Sequence, residues 1–146
     1  MADSRVFVSI PTTSVSASRA FFTTLGFTFD EALSGESSVC LQLNEQTFFM
    51  LVERELFISF SYSGRTADIA GAPAAQFSYS VDSREAVDAA IETAVAAGGT
   101  EAGEAEDHGA MFTRSFLDLD GHLWAPTWVD PAPTSGEAPV EQGATA

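Results

Sequence analysis

The chain contains no lysine, one cysteine and no apolar run long enough to cross a membrane, and each shortage removes a class of explanation. Six arginines face 21 acidic residues, a formal charge of −15, so nucleic acid and anionic membrane surfaces would be repelled. The same surplus favours solubility, and an acidic surface can also steer a cationic ligand. A lone Cys40 allows no intrachain disulfide and reads as a small packed thiol in a reducing compartment. No apolar run reaches the roughly 18 residues of a membrane helix, and no charged start leads into one. The expectation is a soluble cytoplasmic protein. Gly-x-Ser-x-Gly, Cys-x-x-Cys, His-Glu-x-x-His and a phosphate-cradling glycine loop are all missing.

What is present fits one domain of ordinary size: 146 residues, 45% of them apolar. Arg5 to Ile10 is a β-branched and aromatic run stopped by Pro11. Thr12, Thr13 and Ser14 are candidate helix caps, and Val15, Phe21, Phe22 and Leu25 follow near helical spacing up to Gly26. Three apolar runs come next, Phe27 to Glu31, Val39 to Leu43 and Thr47 to Val52, with turn-forming residues between them. The order is β-α-β-β-β.

From Glu53 to Ala75 the pattern breaks, and residues 54–75 read as a long linker loop, of the kind that is often functional. The first order then returns. Gln76 to Val81 alternates as a strand, and Asp82 with Glu85 suggests a capping box. Val87, Ala90, Ile91, Ala94 and Val95 form a helical stripe that Gly98-Gly99 ends. Thr100 to Glu104, Met111 to Leu117 and His122 to Val129 supply three more strands. Phe7 and Gln76 align at a shift of 69, and Gly26 and Gly98 at 72, so the chain reads as a duplicated unit. The modules span about residues 5–53 and 76–130 of a single domain (1–130). A tail, 131–146, has no aromatic residue and no period and reads as disordered.

Two segments carry a resemblance. Ser18-Arg19-Ala20-Phe21-Phe22-Thr23-Thr24-Leu25-Gly26-Phe27 is similar to a Ser-x-x-Phe-Tyr-x-x-Leu-Gly-Phe segment, and Asp118-Leu119-Asp120-Gly121-His122 sits between two strands as a closing hairpin. With the duplicated order, the chain resembles the vicinal-oxygen-chelate superfamily of glyoxalases, extradiol dioxygenases and bleomycin-resistance proteins. The resemblance implies an α+β fold in which two tandem βαβββ modules form a curved mixed sheet around a small-molecule cleft. It also implies a homodimer, which would shelter the apolar segment Leu56 to Phe60.

In metal-dependent members the ligands lie on the first and last strands of each module. The positions that match are Phe7, Met50, Gln76 and Ala125, the last fixed by its distance from Gly121; a register shifted by one residue gives Val8, Leu51 and Phe77 in place of the first three. None is a histidine or carboxylate, so neither metal nor cofactor is expected. By alternation, Phe7, Ser9, Phe48, Met50, Gln76, Ser78, Ala125 and Thr127 should line the cleft. Val6, Val8, Ile10, Leu51, Phe77, Tyr79, Val81, Trp124 and Trp128 should face the helices.

Arg114, inside an apolar strand, either faces the cleft as an anion-binding fork or turns outward to meet a surface acid. His122 reads as a turn residue. His108, in an acidic loop, reads as solvated, with proton transfer as the alternative. The leading functional expectation is a metal-free protein that sequesters a small aromatic or cationic compound. The alternatives are a metal-dependent lyase, isomerase or dioxygenase, and a structural or regulatory dimer without a ligand.

Overall fold

The computed structural model describes residues 3–66 and 72–132. The chain divides into two compact units, Met1–Ala72 and Pro73–Ala146. Most of the linker falls in the first unit, and residues 67–71 of it lie outside the described residues, as do residues 133–146 of the expected tail.

The first unit runs β1 (Val6–Thr12), α1 (Val15–Thr24), β2 (Thr28–Asp30), a single 3-10 turn (Glu31–Leu33), β3 (Ser38–Gln42), β4 (Thr47–Glu53) and α2 (Arg54–Phe60). Its strands form one sheet in the order β1-β4-β3-β2, with β1 parallel to β4 and the other pairs antiparallel. Of the three cap candidates, Ser14 caps α1, its Oγ accepting from the Ala17 N–H at 3.2 Å. Phe21 and Phe22 of α1 are buried, and the helix packs on β3 and β4. Thr12 and Ser18 hydroxyls meet at 2.6 Å, which places the face carrying Val6, Val8, Ile10 and Thr12 towards α1.

The second unit repeats this plan with β5 (Gln76–Ser80), α3 (Arg84–Ala96), β6 (Thr100–Asp107), β7 (Met111–Leu117) and β8 (Leu123–Val129), the sheet order being β5-β8-β7-β6. Val87, Ile91 and Ala94 form the buried stripe of α3, which packs on β6, β7 and β8 above Phe116 and Trp124. Burying a side chain the size of Ile91 contributes about 2 kcal/mol. Both long helices close in the same way. Phe27 N–H bonds to Phe22 C=O and Gly99 N–H to Ala94 C=O, around Gly26 (φ 94°) and Gly98 (φ 109°). That left-handed turn is why glycine stands at both positions. Among the described residues no helix is long and apolar enough to cross a membrane.

Three local readings change. Arg54–Phe60 is a helix where the sequence read as loop; Glu53 offers it no side-chain cap, so the usual start signal is absent. Ser83, rather than Asp82, caps α3, its Oγ accepting from Ala86 N–H at 3.0 Å. The acidic loop after Glu104 is a continuation of β6, which runs on to Asp107 past a break in the β6–β7 ladder between Ala102 and Glu106.

Candidate functional site

Each sheet has one face turned away from its long helix, and the ladders state which side chains share it. In the first unit Phe7 pairs with Phe48 and Ser9 with Met50, while Gln42 stands opposite Phe48 and Cys40 opposite Met50. In the second, Gln76 pairs with Leu123, Ser78 with Ala125 and Ser80 with Thr127. The Ser9–Met50 and Ser78–Ala125 pairs occupy equivalent places, so the register that aligns Phe7 with Gln76 also aligns Met50 with Ala125. Phe7, Ser9, Phe48 and Met50 therefore share one face of the first sheet, and Gln76, Ser78, Ala125 and Thr127 one face of the second.

The first of these faces is aromatic. The Phe7 and Phe48 rings stack at 4.9 Å between centroids and 13° between planes. Phe48 is 3% exposed, whereas Phe7 is 47% exposed, so the pair presents an outer ring to its surroundings. Beside it lies a cavity of about 490 Å3 lined by Asp3, Arg5, Asp30, Gln42, Glu45, Gln46 and Phe48. The Arg5 guanidinium carbon stands 5.9 Å from the centroid of the Phe48 ring. Sequence reasoning missed the acidic part of this lining. Its signal was available for Asp30, which pairs with Cys40 and so shares the face of Met50. Buried Cys40 packs on that face, and burial pushes its thiol above the ordinary value, which leaves it a weak nucleophile.

The second face is rich in hydroxyl and amide groups. The Gln76 side-chain amide donates to Ser78 Oγ at 3.2 Å, and both residues are exposed. Ala125 and Thr127 are buried, and the Thr127 hydroxyl is engaged by Thr113 Oγ1 at 2.8 Å and by the Ala125 carbonyl at 3.1 Å. A cavity of about 570 Å3 is lined by Gln76, Leu123, Ser115 and the irregular stretch of β6 from Ala102 to Glu106.

Arg114 does not belong to this face. Its guanidinium bonds Asp88 of α3 at 2.6 Å and Glu101 of β6 at 2.5 Å, so it points to the helix side. Two carboxylates satisfy it there, and both raise its already high pKa. The outward alternative is the one realised, and Arg114 leaves the set of ligand-binding candidates.

His122 is buried at the start of the final strand, its backbone N–H donating to Asp118 Oδ1 at 3.0 Å, in keeping with a turn role. His108 stands in the β6–β7 hairpin, bonded through its backbone to Met111 and Ala110. The hairpin is held to α3 by Arg84, which bonds both Asp107 oxygens at 2.8 and 2.9 Å and the Gly109 carbonyl at 2.8 Å.

The four positions that hold metal in the resembling enzymes can be tested on their donors. Phe7 and Ala125 have no side-chain donor, Met50 offers a thioether, and the Gln76 amide is turned to Ser78. Among the described residues no three His, Cys, Asp or Glu side chains gather as a metal site. This donor set does not fit a hard or borderline divalent cation.

Residues 5–125 match the family model described as Glyoxalase/Bleomycin resistance protein/Dioxygenase superfamily. The chain belongs to that superfamily. Among solved structures, protein SA1046 from S. aureus is similar at a TM-score of 0.73 and 24% identity, over 88% of this chain and 94% of that one. A glyoxalase/bleomycin resistance protein/dioxygenase family enzyme from Burkholderia phytofirmans PsJN gives 0.71 and 20%, over 84% and 96%. A glyoxalase-related enzyme from Fulvimarina pelagi gives 0.70 and 18%, over 93% and 95%. At these identities the likeness shows the fold, two βαβββ modules, and no more. No curated protein matches the chain.

Proposed function

We propose that this superfamily member is a metal-free binding protein for a small aromatic cation, taken up beside the Phe7–Phe48 pair. The observation that carries this reading is the half-exposed Phe7 ring stacked on buried Phe48, which itself lines a cavity together with Asp3, Asp30, Glu45 and Arg5. A flat ligand ring stacks on an exposed aromatic face, and a positive charge on it is attracted both by the ring quadrupole and by the carboxylates. A chain charge of −15 raises the local concentration of cations.

The donor chemistry at Phe7, Met50, Gln76 and Ala125 argues against the metal-dependent lyase, isomerase or dioxygenase alternative. The test is a thermal-shift screen of planar aromatic cations and their neutral counterparts, run with and without EDTA. Binding of a ligand at a hundredfold excess over Kd stabilises the native state by about 2.7 kcal/mol. Stabilisation by cations that survives the chelator supports the proposal. A stoichiometric divalent metal whose removal abolishes ligand binding overturns it.

We propose in addition that the protein is a homodimer. Exposed Leu56 and Phe60 on α2, the latter 56% accessible, are apolar surface of the kind a second copy covers. A monomeric mass by light scattering at micromolar concentration counts against this.

A further inference from the structure

The cavity of the first unit already holds a cation of the chain's own. Arg5 immediately precedes β1, lines the cavity with Asp3, Asp30 and Glu45, and rests its guanidinium 5.9 Å from the Phe48 centroid. Arg19, Arg84 and Arg114 each pair with a carboxylate: Glu31, Asp107, and Asp88 with Glu101. For Arg5, as for Arg54 and Arg65, no carboxylate lies within ion-pair distance among the described residues, and of these three it is Arg5 that stands over a ring. Its contact is with the ring, near the outer reach of a cation–π interaction, without a fork. A guanidinium suits that place because it is planar and weakly hydrated, and such contacts are weak at accessible sites.

A ligand cation that stacks beside Phe7 and reaches into the cavity towards the Phe48 edge and the carboxylates therefore meets Arg5 in its way. Phe48 is almost wholly covered, with Phe7 stacked on it, so little of the ring is spare. We infer that Arg5 is a tethered competitor: an internal cation that an incoming aromatic cation displaces, so that binding is an exchange of one positive charge for another. This rests on the reading that the cavity takes aromatic cations. Exchange has two consequences. The charge within the cavity stays constant as the ligand enters, and selectivity is set by which cation the ring and carboxylates hold better. Removing Arg5 frees ring surface and removes a repelling charge, and both changes favour a cationic ligand. A neutral aromatic gains the vacated space alone.

The experiment is a calorimetric titration with 1-methylquinolinium and with neutral quinoline, on wild type, Arg5→Gln, Arg5→Lys and Arg65→Gln. Arg65 is exposed, does not line the cavity, and gives the same change in net charge. Melting curves confirm that each variant is folded. Arg5→Gln should bind 1-methylquinolinium about three- to tenfold more tightly, the span expected for relief of one accessible cation–π contact and its charge. Arg5→Lys should stay nearer wild type, Arg65→Gln should remain within about twofold because salt screens a remote charge, and quinoline should gain less than the cation. Wild-type binding that is unchanged or weakened in Arg5→Gln overturns the competitor role and leaves the site reading intact. Equal tightening in Arg65→Gln also overturns it, since long-range charge alone would then account for the effect. No binding to wild type or to Arg5→Gln overturns the competitor role together with the site reading beneath it.

Discussion

The Trp124 indole N–H donates to Asp118 Oδ2 at 2.9 Å, and both residues are buried. The other carboxylate oxygen accepts the backbone N–H groups of Asp120 and His122 at 2.9 and 3.0 Å. One side chain thus shapes the last turn and anchors the largest ring of the second core. The Asp-x-Asp-Gly-His signature is therefore a folding device in this chain, whatever chemistry its relatives perform. Asp118→Ala removes the acceptor of three N–H groups, two of them in buried bonds, and should lower stability by about 2 to 4 kcal/mol. Asp118→Asn keeps an acceptor and should cost less. Urea unfolding followed by tryptophan fluorescence measures both, and equal stability of wild type and Asp118→Ala would refute the assignment.

Acid should act on two carboxyls in opposite senses. The Arg84 guanidinium, helped by the Gly109 N–H, holds Asp107 down to about 2, from an ordinary 3.8. A lowered value means that the native state binds its proton later than the unfolded chain does. The stabilisation is therefore present above pH 3.8 and is lost as pH falls towards 2. Burial raises Asp118, against the opposing pull of His122 and of the hydrogen bonds from Trp124, Asp120 and His122. Its native state keeps the proton longer, so its contribution is fully present below the unfolded value and is lost as pH rises through the native one. A carboxyl-detected NMR titration should put the Asp107 midpoint near 2, and Arg84→Gln should return it towards 3.8.

Arg114→Met separates the two faces of the second sheet. The guanidinium is 19% exposed but its partners are more open, Asp88 at 49% and Glu101 at 44%, so both acids rehydrate when it is removed. The expected cost is about 1 kcal/mol of stability. Affinity for a ligand on the opposite face should not change. A large loss of affinity at constant fold would return Arg114 to the binding site.

The face of Arg114 is legible in the sequence once the final turn serves as a ruler. Leu117 pairs with Leu123 across it, which sets Phe116 opposite Trp124. Arg114, two residues before Phe116, must then share the helix-facing side already given to Trp124. Parity has a fixed origin only where a turn sets the count, as Gly121 does for Ala125. At Phe7 and Met50 no turn does, and it is the ladders that put Phe7, Ser9, Phe48 and Met50 on one face, and Gln76, Ser78, Ala125 and Thr127 on another. Parity says nothing about depth: Ala125 and Thr127 lie on that face but are buried. The acidic cavity lining was less accessible. Asp3, Glu45 and Gln46 lie outside the strands, where alternation has no meaning; Glu45 and Gln46 are near Phe48 along the chain, and the pairing of β1 with β4 brings Asp3 there. Helix α2 was missed because a two-turn helix without a side-chain cap leaves no period long enough to read.

The stacked phenylalanines should divide stability from binding. Phe48 is buried in the first unit, and Phe48→Ala opens a cavity there, with an expected loss of about 3 to 5 kcal/mol. A fall in ligand affinity in that variant follows from loss of the fold and does not locate the ligand. Phe7 is half exposed, so Phe7→Ala removes mainly the stacking contact at 4.9 Å, about 1 kcal/mol of stability. The outer ring face is lost with it. If ligand stacks there, Phe7→Ala should weaken 1-methylquinolinium binding about tenfold, which is about 1.4 kcal/mol, while its melting temperature stays within a few degrees of wild type. Phe7→Tyr and Phe7→Leu complete the series. The first keeps an aromatic face and should bind like wild type, whereas the second keeps apolar bulk and should bind like the alanine variant. Equal affinity across all four side chains would place the ligand elsewhere.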